Sequence, residues 1–454
     1  MSLRTLGCGE VTPEHYGTEQ TFAGWVHSLR AKGNIAFLEL RDRTGHVQFV
    51  LLKKQLAETA PELFEQLTKL TDESAVSITG LVKESEKAKA GFEVLPTAAT
   101  VLNKADAPLP MALWDDEIET GMDTRIDNRF LDVRAPRSKA IFRIRSEVLR
   151  AGRDYFHAHG FTEITTSNII AASSEGGTDT YTVDWFGRDC YLSQSPQLYK
   201  QMMMASGMDR VFEIARYFRA EKHNTVRYLN ESTAFDLEVA WIEDEDEVMQ
   251  VIEGLLHHIW KHVVETCPQE LEALGADVPV PALPFRRVQY GEAMELINAR
   301  AGDRLEKPLE FGDDIGTEAE RILGEVMQEE GHDFYFITKW PLAAKPFYCQ
   351  PEEADVASQS DPKALSRSFD LDYRGVELIS GAQRIHDAEL LKAGIERWGL
   401  NPDDFGDYLD AFRYGMPPHG GCGLGIERIL MQMLGLPNIR EAILFPRDLT
   451  RVTP

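Results

Sequence analysis

Cysteine is scarce in this sequence of 454 residues, and long apolar runs are missing from it. The five cysteines form no CxxC pair and leave an odd count. Such a set argues against a disulfide framework and a structural zinc site, and it favours a reducing compartment. No apolar run is long enough to span a bilayer, and the first residues, MSLRTLGCGE, lack the apolar segment of a signal peptide. We therefore expect a cytoplasmic protein with no membrane association.

Two common nucleotide-binding motifs are absent as well. The chain contains no GxxxxGK[ST] segment, which excludes a P-loop of the usual kind. It also lacks the GxGxxG spacing of dinucleotide-binding Rossmann folds. Any nucleotide site must therefore be built from other elements.

Positive charge is in short supply. The 48 Lys and Arg residues face 74 Asp and Glu residues, which gives a net charge of −26. Because attraction to phosphates dominates nucleic-acid affinity, this charge opposes nucleic-acid binding by the chain as a whole. The excess is uneven, however: residues 1–104 hold 12 basic and 13 acidic residues, a net charge of −1. This first part of the chain can still present a local basic face.

Short strand-like runs dominate residues 1–104. Three of them precede a helical segment over 56–70, and SAVSITGLV and GFEVLPTAATVL follow it. This order predicts a small OB-type barrel. Arg30, Phe37 and Gln48 suit unpaired nucleic acid, because an aromatic ring stacks on bases, arginine holds phosphate and glutamine reads base edges. A ligand-free barrel, with Phe37 in its core, is the alternative.

The rest of the chain predicts a linker and a second, α+β domain. Residues 105–137 are rich in turn formers and charge, as a linker or hinge would be. An amphipathic helix is expected over 140–159, and the following FTEITTSNII is expected to form a strand. We assign the second domain to residues 138–454.

Residues 211–241 hold the densest chemistry. Two strand-like runs flank a polar loop, which predicts an antiparallel hairpin with a long connection. Alternation places Arg219 and Glu221 on one face, where a guanidinium can hold a polyanion and a carboxylate can recognise an amine. A solvated, salt-bridged hairpin is the alternative.

A glycine ladder near the C-terminus, HGGCGLGIERIL, complements this hairpin. Gly421, Gly423 and Gly425 recur every second residue. In a strand that spacing strips one face of side chains, so that a flat ligand can lie against the backbone. A helix should follow, with Arg428 in its first turn, placed to stack on an adenine ring. Together these features suit ATP.

Other polar groups lie between these two regions. Gln197 and Lys200, three residues apart, share one face of a predicted helix. Asp370 and Glu377, together with Asp372, offer the hard oxygen ligands that suit Mg²⁺. Glu377 and Ser380 would point oppositely in a plain strand, so a bulge near Gly381 is needed to bring both to one site.

FRAE with its loop and GxGxGxxR resemble motifs 2 and 3 of the class II aminoacyl-tRNA synthetases. QSPQLYK (194–200) and LFPRD (444–448) are similar to motifs of aspartyl-tRNA synthetases of the compact archaeal type, over nearly the whole chain. The resemblance implies an anticodon-binding OB barrel at 1–104, a hinge at 105–137 and a catalytic domain at 138–454. It also implies a homodimer that uses ATP, Mg²⁺, L-aspartate and tRNA(Asp).

The resemblance further implies roles for individual residues. Catalysis falls to Arg219, Glu221 and Arg428. Aspartate contacts fall to Glu175, Gln197, Lys200, Arg219, Ser380 and Arg384. ATP contacts fall to Arg219, Glu221, His223, Arg227, Tyr228, Leu229, Glu377, Gly425, Ile426, Glu427 and Arg428. Metal ligation falls to Asp370, Glu377 and Ser380, and anticodon contacts fall to His27, Arg30, Phe37 and Gln48.

Several functions remain open at this point. An asparaginyl-tRNA synthetase shares these motifs, but it should not need two cations, Lys200 and Arg384, around the substrate side chain. An amide-forming paralogue, or a nucleic-acid-binding OB protein with an inactive second domain, is a further alternative. His27 favours the interpretation that the enzyme is non-discriminating and also charges tRNA(Asn), since a neutral imidazole offers one donor and one acceptor. Lys87 and Lys89 weigh against this interpretation.

Overall fold

The chain divides into two compact units in a computed structural model. The units are Met1–Ala112 and Leu113–Pro454. The residues described are 3–86, 88, 90–114, 120–171, 180–222 and 225–454. None of the helices in this part of the chain combines the length and apolar character needed to cross a membrane.

The division falls inside the segment 105–137, for which the sequence predicts a linker. The second half of that segment is helical and belongs to the second unit. There the Arg129 side chain is buried and donates to the backbone carbonyls of Arg440 and Ile443. This stretch is therefore packed against the C-terminal residues of its own unit.

The first unit is a closed barrel, as predicted. Its strands are β1 (Glu19–Lys32), β2 (Ile35–Arg41), β3 (His46–Leu52), β4 (Ala75–Glu84) and β5 (Phe92–Asn103), in the order β1-β2-β3-β5-β4. Phe22, Leu38 and Phe49 are buried in its core. The single helix expected over 56–70 is instead two, α1 (Lys53–Thr59) and α2 (Leu63–Thr68). Pro61 separates them, because proline lacks the N–H donor and its ring clashes with the preceding turn.

The second unit is built on strands β6 to β16 within the described residues. They are β6 (Thr162–Glu163), β7 (Ile169–Ile170), β8 (Thr182–Asp184), β9 (Asp189–Leu192), β10 (Arg210–Phe218), β11 (Glu231–Ala240), β12 (Arg286–Gln289), β13 (Phe334–Thr338), β14 (Ser368–Tyr373), β15 (Glu377–Arg384) and β16 (His419–Gly425). The main sheet has the order β12-β13-β14-β15-β16-β11-β10-β6, and β7, β9 and β8 form a small separate sheet. Most pairs of the main sheet are antiparallel, and β12–β13 and β10–β6 are parallel.

Helices cover this sheet and complete the predicted α+β architecture. They are α3 (Met122–Asp127), α4 (Arg129–Asp132), α5 (Pro136–Ala158), α6 (Gln197–Met204), α7 (Asp246–Thr266), α8 (Pro268–Leu274), α9 (Tyr290–Ala301), α10 (Thr317–Glu329), α11 (Ala388–Arg397), α12 (Gly406–Arg413) and α13 (Ile426–Met433). The apolar faces of α5 and α7 pack together with β11, where Val148, Phe235 and Ile252 are fully buried. Burial of this kind supplies most of the stability of such helices.

The segment FTEITTSNII does not form one strand. Only β6 and β7 are extended, and they belong to different sheets. Between them, the backbone N–H and the hydroxyl of Thr166 donate to the Glu213 carboxylate. These side-chain bonds compete with the ladder, and the chain leaves the main sheet here.

Candidate functional site

A cavity of about 300 Å³ lies over the central strands of the main sheet. Twelve of the residues predicted to bind or act on substrates line it: Gln197, Arg219, Glu221, Arg227, Tyr228, Leu229, Glu377, Ser380, Arg384, Gly425, Glu427 and Arg428. Lys200, Asp370 and Ile426 are not among its lining residues. Glu175 and His223 lie outside the described residues.

The loop after β10 is held in place by Asn230. The predicted hairpin of β10 and β11 is present, but β10 ends at Phe218, so Arg219 and Glu221 lie in the loop. The buried Asn230 amide donates to the carbonyls of Arg219 at 2.6 Å and of Glu221 at 3.1 Å. The Arg219 guanidinium lies 5.3 Å from the centre of the Tyr217 ring. Both charged side chains therefore reach the cavity from a fixed backbone.

Glu221 offers an acceptor to a ligand. Its Oε2 is buried and has no hydrogen-bond partner among the described residues. A buried acceptor of this kind is costly to leave unpaired. It can accept from an exocyclic amine of a bound base.

Arg428 closes the opposite wall of the cavity. It lies in the first turn of α13, as predicted. Its Nη1 lies 3.3 Å from the Glu377 carboxylate, and its guanidinium lies 5.9 Å from the centre of the Tyr228 ring. An arginine that already lies over an aromatic ring is suitably placed to stack on a second flat group.

Two predicted ATP contacts next to Arg428 have their side chains held by the protein, although Glu427 also lines the cavity. Ile426 is fully buried in the core. The buried Glu427 carboxylate accepts from the Arg145 guanidinium at 2.7 Å and from the backbone N–H of Thr233 at 3.0 Å. The side chains of Ile426 and Glu427 thus fix the start of α13 against α5 and β11.

The glycine ladder lies in the middle of the sheet, on β16 between β15 and β11. A Cβ at Gly421 would overlap the Glu238 carboxylate and the Leu237 carbonyl, and a Cβ at Gly423 would overlap the Tyr217 hydroxyl. Gly423 and Gly425 line the cavity, as the ladder predicts, whereas Gly421 is not among its lining residues. Gly421 and Gly423 also make room for side chains of the protein itself.

The two cations predicted to bind the substrate carboxylate already have partners. Lys200 Nζ lies 2.5 Å from Asp236 Oδ1 and 3.1 Å from Glu238 Oε2. Arg384 Nε donates to Glu238 at 3.0 Å, and its Nη2 donates to the Gly421 carbonyl at 2.8 Å. Contrary to the expectation from the sequence, an asparagine-specific enzyme with this arrangement would not leave the two cations unpaired. Asp236 and Glu238 were not predicted, although two carboxylates two residues apart in an apolar strand were a usable signal.

Ionisation of this group follows from burial and close pairing. Burial lowers the pKa of Lys200, but the Asp236 and Glu238 carboxylates raise it above its ordinary value. Burial raises the pKa of Glu238, but Arg384 and Lys200 bring it below its ordinary value. Burial raises the pKa of Asp236 despite Lys200, and the Tyr217 hydroxyl also donates to this carboxylate. Lys200 and Glu238 are therefore charged near neutral pH.

A chain of hydrogen bonds orients Gln197. His419 Nδ1 lies 2.8 Å from the Pro417 carbonyl and must donate to it, which makes Nε2 the acceptor for the Gln201 amide at 3.1 Å. Gln201 Oε1 then accepts from the Gln197 amide at 2.9 Å, so Gln197 Oε1 faces Arg384 at 3.4 Å. Burial lowers the pKa of His419 to about 4, which keeps the ring neutral. Gln201, four residues after Gln197 on α6, was readable from helical spacing but was missed.

An acidic cavity of about 280 Å³ adjoins the first one. Its carboxylates are those of Asp314, Glu320, Asp370, Asp372 and Glu377. Burial and then the Glu377 carboxylate raise the pKa of Glu320 to about 7. Burial and then the Glu320 carboxylate raise the pKa of Asp372 well above its ordinary value. Glu320 was not predicted, because residues 318–329 have the pattern of an ordinary helix.

Lys345 and a β-bulge arrange the predicted metal ligands. Lys345 Nζ lies 2.7 Å from Asp370 Oδ2. Glu377 pairs with Asp372 and Ile379 with Leu371, so the extra residue is Leu378. A bulge was expected near Gly381, and the ladder is regular there. The bulge three residues earlier lets both Glu377 and Ser380 line both cavities.

The first unit carries the predicted base readers on one outer face. Arg30 lies directly opposite Phe37 in the pairing of β1 with β2, and Gln48 lies opposite Glu39 in the pairing of β2 with β3. Phe37 is 42% exposed, which rules out the core position that was its alternative. Cross-strand neighbours share a face, so Arg30, Phe37 and Gln48 present one surface.

Comparison with known families explains this combination of a barrel and a two-part cavity. Residues 20–102 match the OB-fold nucleic acid binding domain, and residues 121–449 match the tRNA synthetases class II (D, K and N). The chain belongs to the class II tRNA synthetases (D, K and N). The matched regions contain both cavities and the outer barrel face.

Individual synthetases agree with the chain over its full length. It is 49% identical to the aspartate–tRNA(Asp) ligase of Thermococcus kodakarensis, over 99% of this chain and 100% of that protein. It is 46% identical to the aspartate–tRNA(Asp/Asn) ligase of Methanosarcina barkeri, over 100% of this chain and 99% of that protein. The crystal structure of asparaginyl-tRNA synthetase from Pyrococcus horikoshii complexed with asparaginyl-adenylate superposes with a TM-score of 0.87 at 32% identity, covering 99% of each chain.

Proposed function

We propose that this chain is an aspartate–tRNA ligase that joins L-aspartate to tRNA(Asp) through an aspartyl-adenylate. The observation that carries this proposal is the similarity to aspartate–tRNA ligases over 99–100% of the chain, at 46–49% identity. The cavity is consistent with it, because the cation Arg384 lines its inner end, the end next to Lys200, Asp236 and Glu238. An inactive synthetase-like domain is disfavoured by the intact set of Arg219, Glu377 and Arg428.

The first step joins aspartate to AMP. The α-carboxylate of aspartate attacks the α-phosphorus of ATP, and pyrophosphate leaves. Arg219 neutralises charge on the α-phosphate, Glu221 accepts from the adenine amine, and Arg428 stacks on the base. Such a step depends on positioning and on charge stabilisation more than on covalent help from the enzyme.

The second step uses the same constellation. A ribose hydroxyl at the 3′ end of the tRNA attacks the acyl carbon, and AMP leaves. We assign the aspartate side chain to Arg384 and Gln197. Lys200 lies behind them and holds Asp236 and Glu238, so we assign it the positioning of this end of the cavity.

The acidic cavity fits Mg²⁺. Its donors are hard carboxylate oxygens, and the raised pKa of Glu320 and of Asp372 reflects buried like charges that a divalent cation would relieve. Asp370, Glu377 and Ser380 would hold the ion, together with Glu320. When bound, it would neutralise charge on the ATP phosphates.

We further propose that the outer barrel face contacts the anticodon through His27, Arg30, Phe37 and Gln48. Charging of tRNA(Asn) beside tRNA(Asp), a homodimeric assembly and a cytoplasmic location are also proposed. A neutral His27 ring carries one donor and one acceptor nitrogen, which supports the proposal that both tRNAs are charged.

ATP–pyrophosphate exchange tests the amino-acid assignment. Exchange should depend on aspartate and should be at least about 100-fold weaker with asparagine, because the N–H donors of Arg384 suit a carboxylate oxygen and would face the amide NH2 group of asparagine. Exchange stimulated equally or better by asparagine would overturn the assignment. Charging of both tRNA transcripts with aspartate then measures the tRNA specificity, and a kcat/KM for tRNA(Asn) about 100-fold below that for tRNA(Asp) would refute the relaxed form.

A further inference from the structure

Three side chains capable of binding a metal converge on the outer face of the barrel. They are His27 of β1, Glu39 of β2 and His46 of β3, and one ligand atom from each lies within 4.8 Å of the other two. His46 Nδ1 lies 3.0 Å from Glu39 Oε1. The His27 and His46 rings meet edge to face, with 4.8 Å between their centres. Among the described residues, this is the group of three that meets these distances.

An irregularity in the strand pairing produces this convergence. Val26 pairs with Leu40 and Ser28 pairs with Glu39, so His27 is an extra residue in β1. A bulge of this kind places two consecutive residues opposite one partner and turns the strand. It brings His27 over Glu39. His46 lies opposite Arg41, two residues from Glu39 on the same face of β2.

The donor set is that of a transition-metal ion. Two imidazole nitrogens and one carboxylate oxygen suit Zn²⁺, Co²⁺ and Ni²⁺, whereas Mg²⁺ prefers oxygen alone. Ligand atoms about 2.0–2.2 Å from a tetrahedral zinc lie about 3.3 Å from one another. Glu39 and His46 already meet that spacing, and His46 is exposed, so its ring can rotate to bring the third atom in.

We propose that His27, Glu39 and His46 form a binding site for a divalent transition-metal ion, Zn²⁺ in the first instance. Three protein ligands leave a coordination position for water or another ligand. The site is separate from the acidic cavity of the second unit, but it shares His27 with the proposed anticodon face. Its test measures metal binding and needs no aminoacylation activity. Without a bound metal ion, the same residues form an ordinary histidine–carboxylate pair. The titration distinguishes this case from a metal site.

Zinc titration of the full-length, tag-free chain tests the proposal. The protein is stripped with a chelator and titrated calorimetrically with Zn²⁺ in excess Mg²⁺, which occupies oxygen-ligand sites. We expect one equivalent of Zn²⁺ per chain to bind at this site. His46→Ala and Glu39→Gln should each weaken that binding by at least about tenfold, the lower end of the effect seen for residues that merely support a metal site.

A matched control removes a histidine elsewhere. His332→Ala should leave the Zn²⁺ affinity unchanged, and thermal unfolding of each variant checks that it is folded. Co²⁺ should give a visible ligand-field band with the wild-type chain that is lost in His27→Ala. Zn²⁺ binding that is unchanged in His46→Ala, or no binding of Zn²⁺ to the wild-type chain, would overturn the proposal.

Discussion

The two ends of the candidate active site handle charge in opposite ways. At the inner end, Lys200 and Arg384 face Asp236 and Glu238, so that two cations meet two carboxylates at 2.5–3.1 Å. In the acidic cavity, five carboxylates accompany the single cation of Lys345 in the described lining. The inner end is electrostatically complete before a ligand arrives. In the acidic cavity, burial and neighbouring carboxylates raise the pKa of Glu320 and of Asp372, although the Arg227 guanidinium pairs with Glu320 at 3.4 Å.

On the proposed function, this difference would let one site recognise an amino acid at one end and bind a metal-bound polyphosphate at the other. A balanced, hydrogen-bonded end holds its geometry and discriminates by shape and donor pattern. An acidic end gains binding energy when its repulsion is relieved. We predict the effects of substitutions at the balanced end, at Arg219, at the acidic end and on the barrel.

Breaking the balanced end should have the largest effect. Lys200→Met leaves Asp236 and Glu238 buried with one cation fewer, so the free energy of unfolding should fall by about 3–5 kcal/mol, the cost of leaving a buried charge unpaired. The transition-state stabilisation calculated from kcat/KM for aspartate should fall by about 2–5 kcal/mol. Urea unfolding and ATP–pyrophosphate exchange measure the two effects.

The matched control is the double variant Lys200→Met with Asp236→Asn. It removes one charge of each sign and should recover part of the lost stability, because fewer buried charges remain unpaired. Aspartate-dependent exchange of Lys200→Met within about threefold of the wild type would contradict a balanced inner end.

The next largest effect is expected at Arg219, in the first cavity. Arg219→Ala should lower ATP–pyrophosphate exchange by about 10²–10³, the usual effect of removing one group that stabilises transition-state charge. Filter binding of tRNA should change little, because the proposed anticodon face belongs to the other unit. A parallel collapse of tRNA affinity would assign Arg219 a structural role.

Neutralising the acidic end should act in the opposite direction. The pKa of Glu320 is about 7 in the folded chain and about 4.5 unfolded, so between these pH values the folded state holds more protons and stability falls as pH rises. Glu320→Gln should remove this loss. Without divalent ions, the free energy of unfolding at about pH 8 should rise by about 2–3 kcal/mol.

The comparison between acidic and neutral pH isolates the titration. At about pH 4, where Glu320 is protonated in both states, Glu320→Gln should have little effect on stability. Glu330→Gln, at the exposed end of the same helix, provides the control for a charge lost at the surface. If Glu320→Gln lowers stability at pH 8, or matches Glu330→Gln there, the acidic end is not destabilised by repulsion.

The smallest effect is expected for a substitution on the barrel, whose proposed ligand is tRNA and not aspartate or ATP. His27→Trp removes a ring that can donate and accept hydrogen bonds. The ratio of kcat/KM for tRNA(Asp) over tRNA(Asn) should therefore rise by a factor equivalent to about 1–3 kcal/mol, the value of one base contact. Aminoacylation of both transcripts measures the ratio. An unchanged ratio would exclude His27 from tRNA discrimination.

The site residues that the sequence predicted are those carried by local motifs. Arg219 and Glu221 follow a recognisable strand, Arg428 follows the glycine ladder, and all three line the cavity. The barrel and the α+β class followed from the spacing of strands and helices, which is also a local property. Such features need no knowledge of which distant segments pair.

The missed residues depend on long-range pairing. Glu238 meets Arg384 across 146 positions, and this contact is set by the order of β11, β16 and β15 in the sheet. Glu320 reaches the acidic cavity because α10 packs in one core cluster with α9 and β13 and passes the turn at Gly375, and not because of its own sequence pattern. The bulge at Leu378, three residues from its expected place, shows the same limit: register is decided by the partner strand.

The crowding at β16 sets a boundary for protein engineering. Since any side chain at Gly421 or Gly423 would collide with Glu238 or Tyr217, saturation libraries at these positions should return almost only glycine. Attempts to redirect the enzyme towards a non-natural amino acid must therefore diversify other lining residues, such as Ser195 and Gln197, whose side chains line the cavity. The glycine strand at the centre of the sheet tolerates the least variation in such experiments.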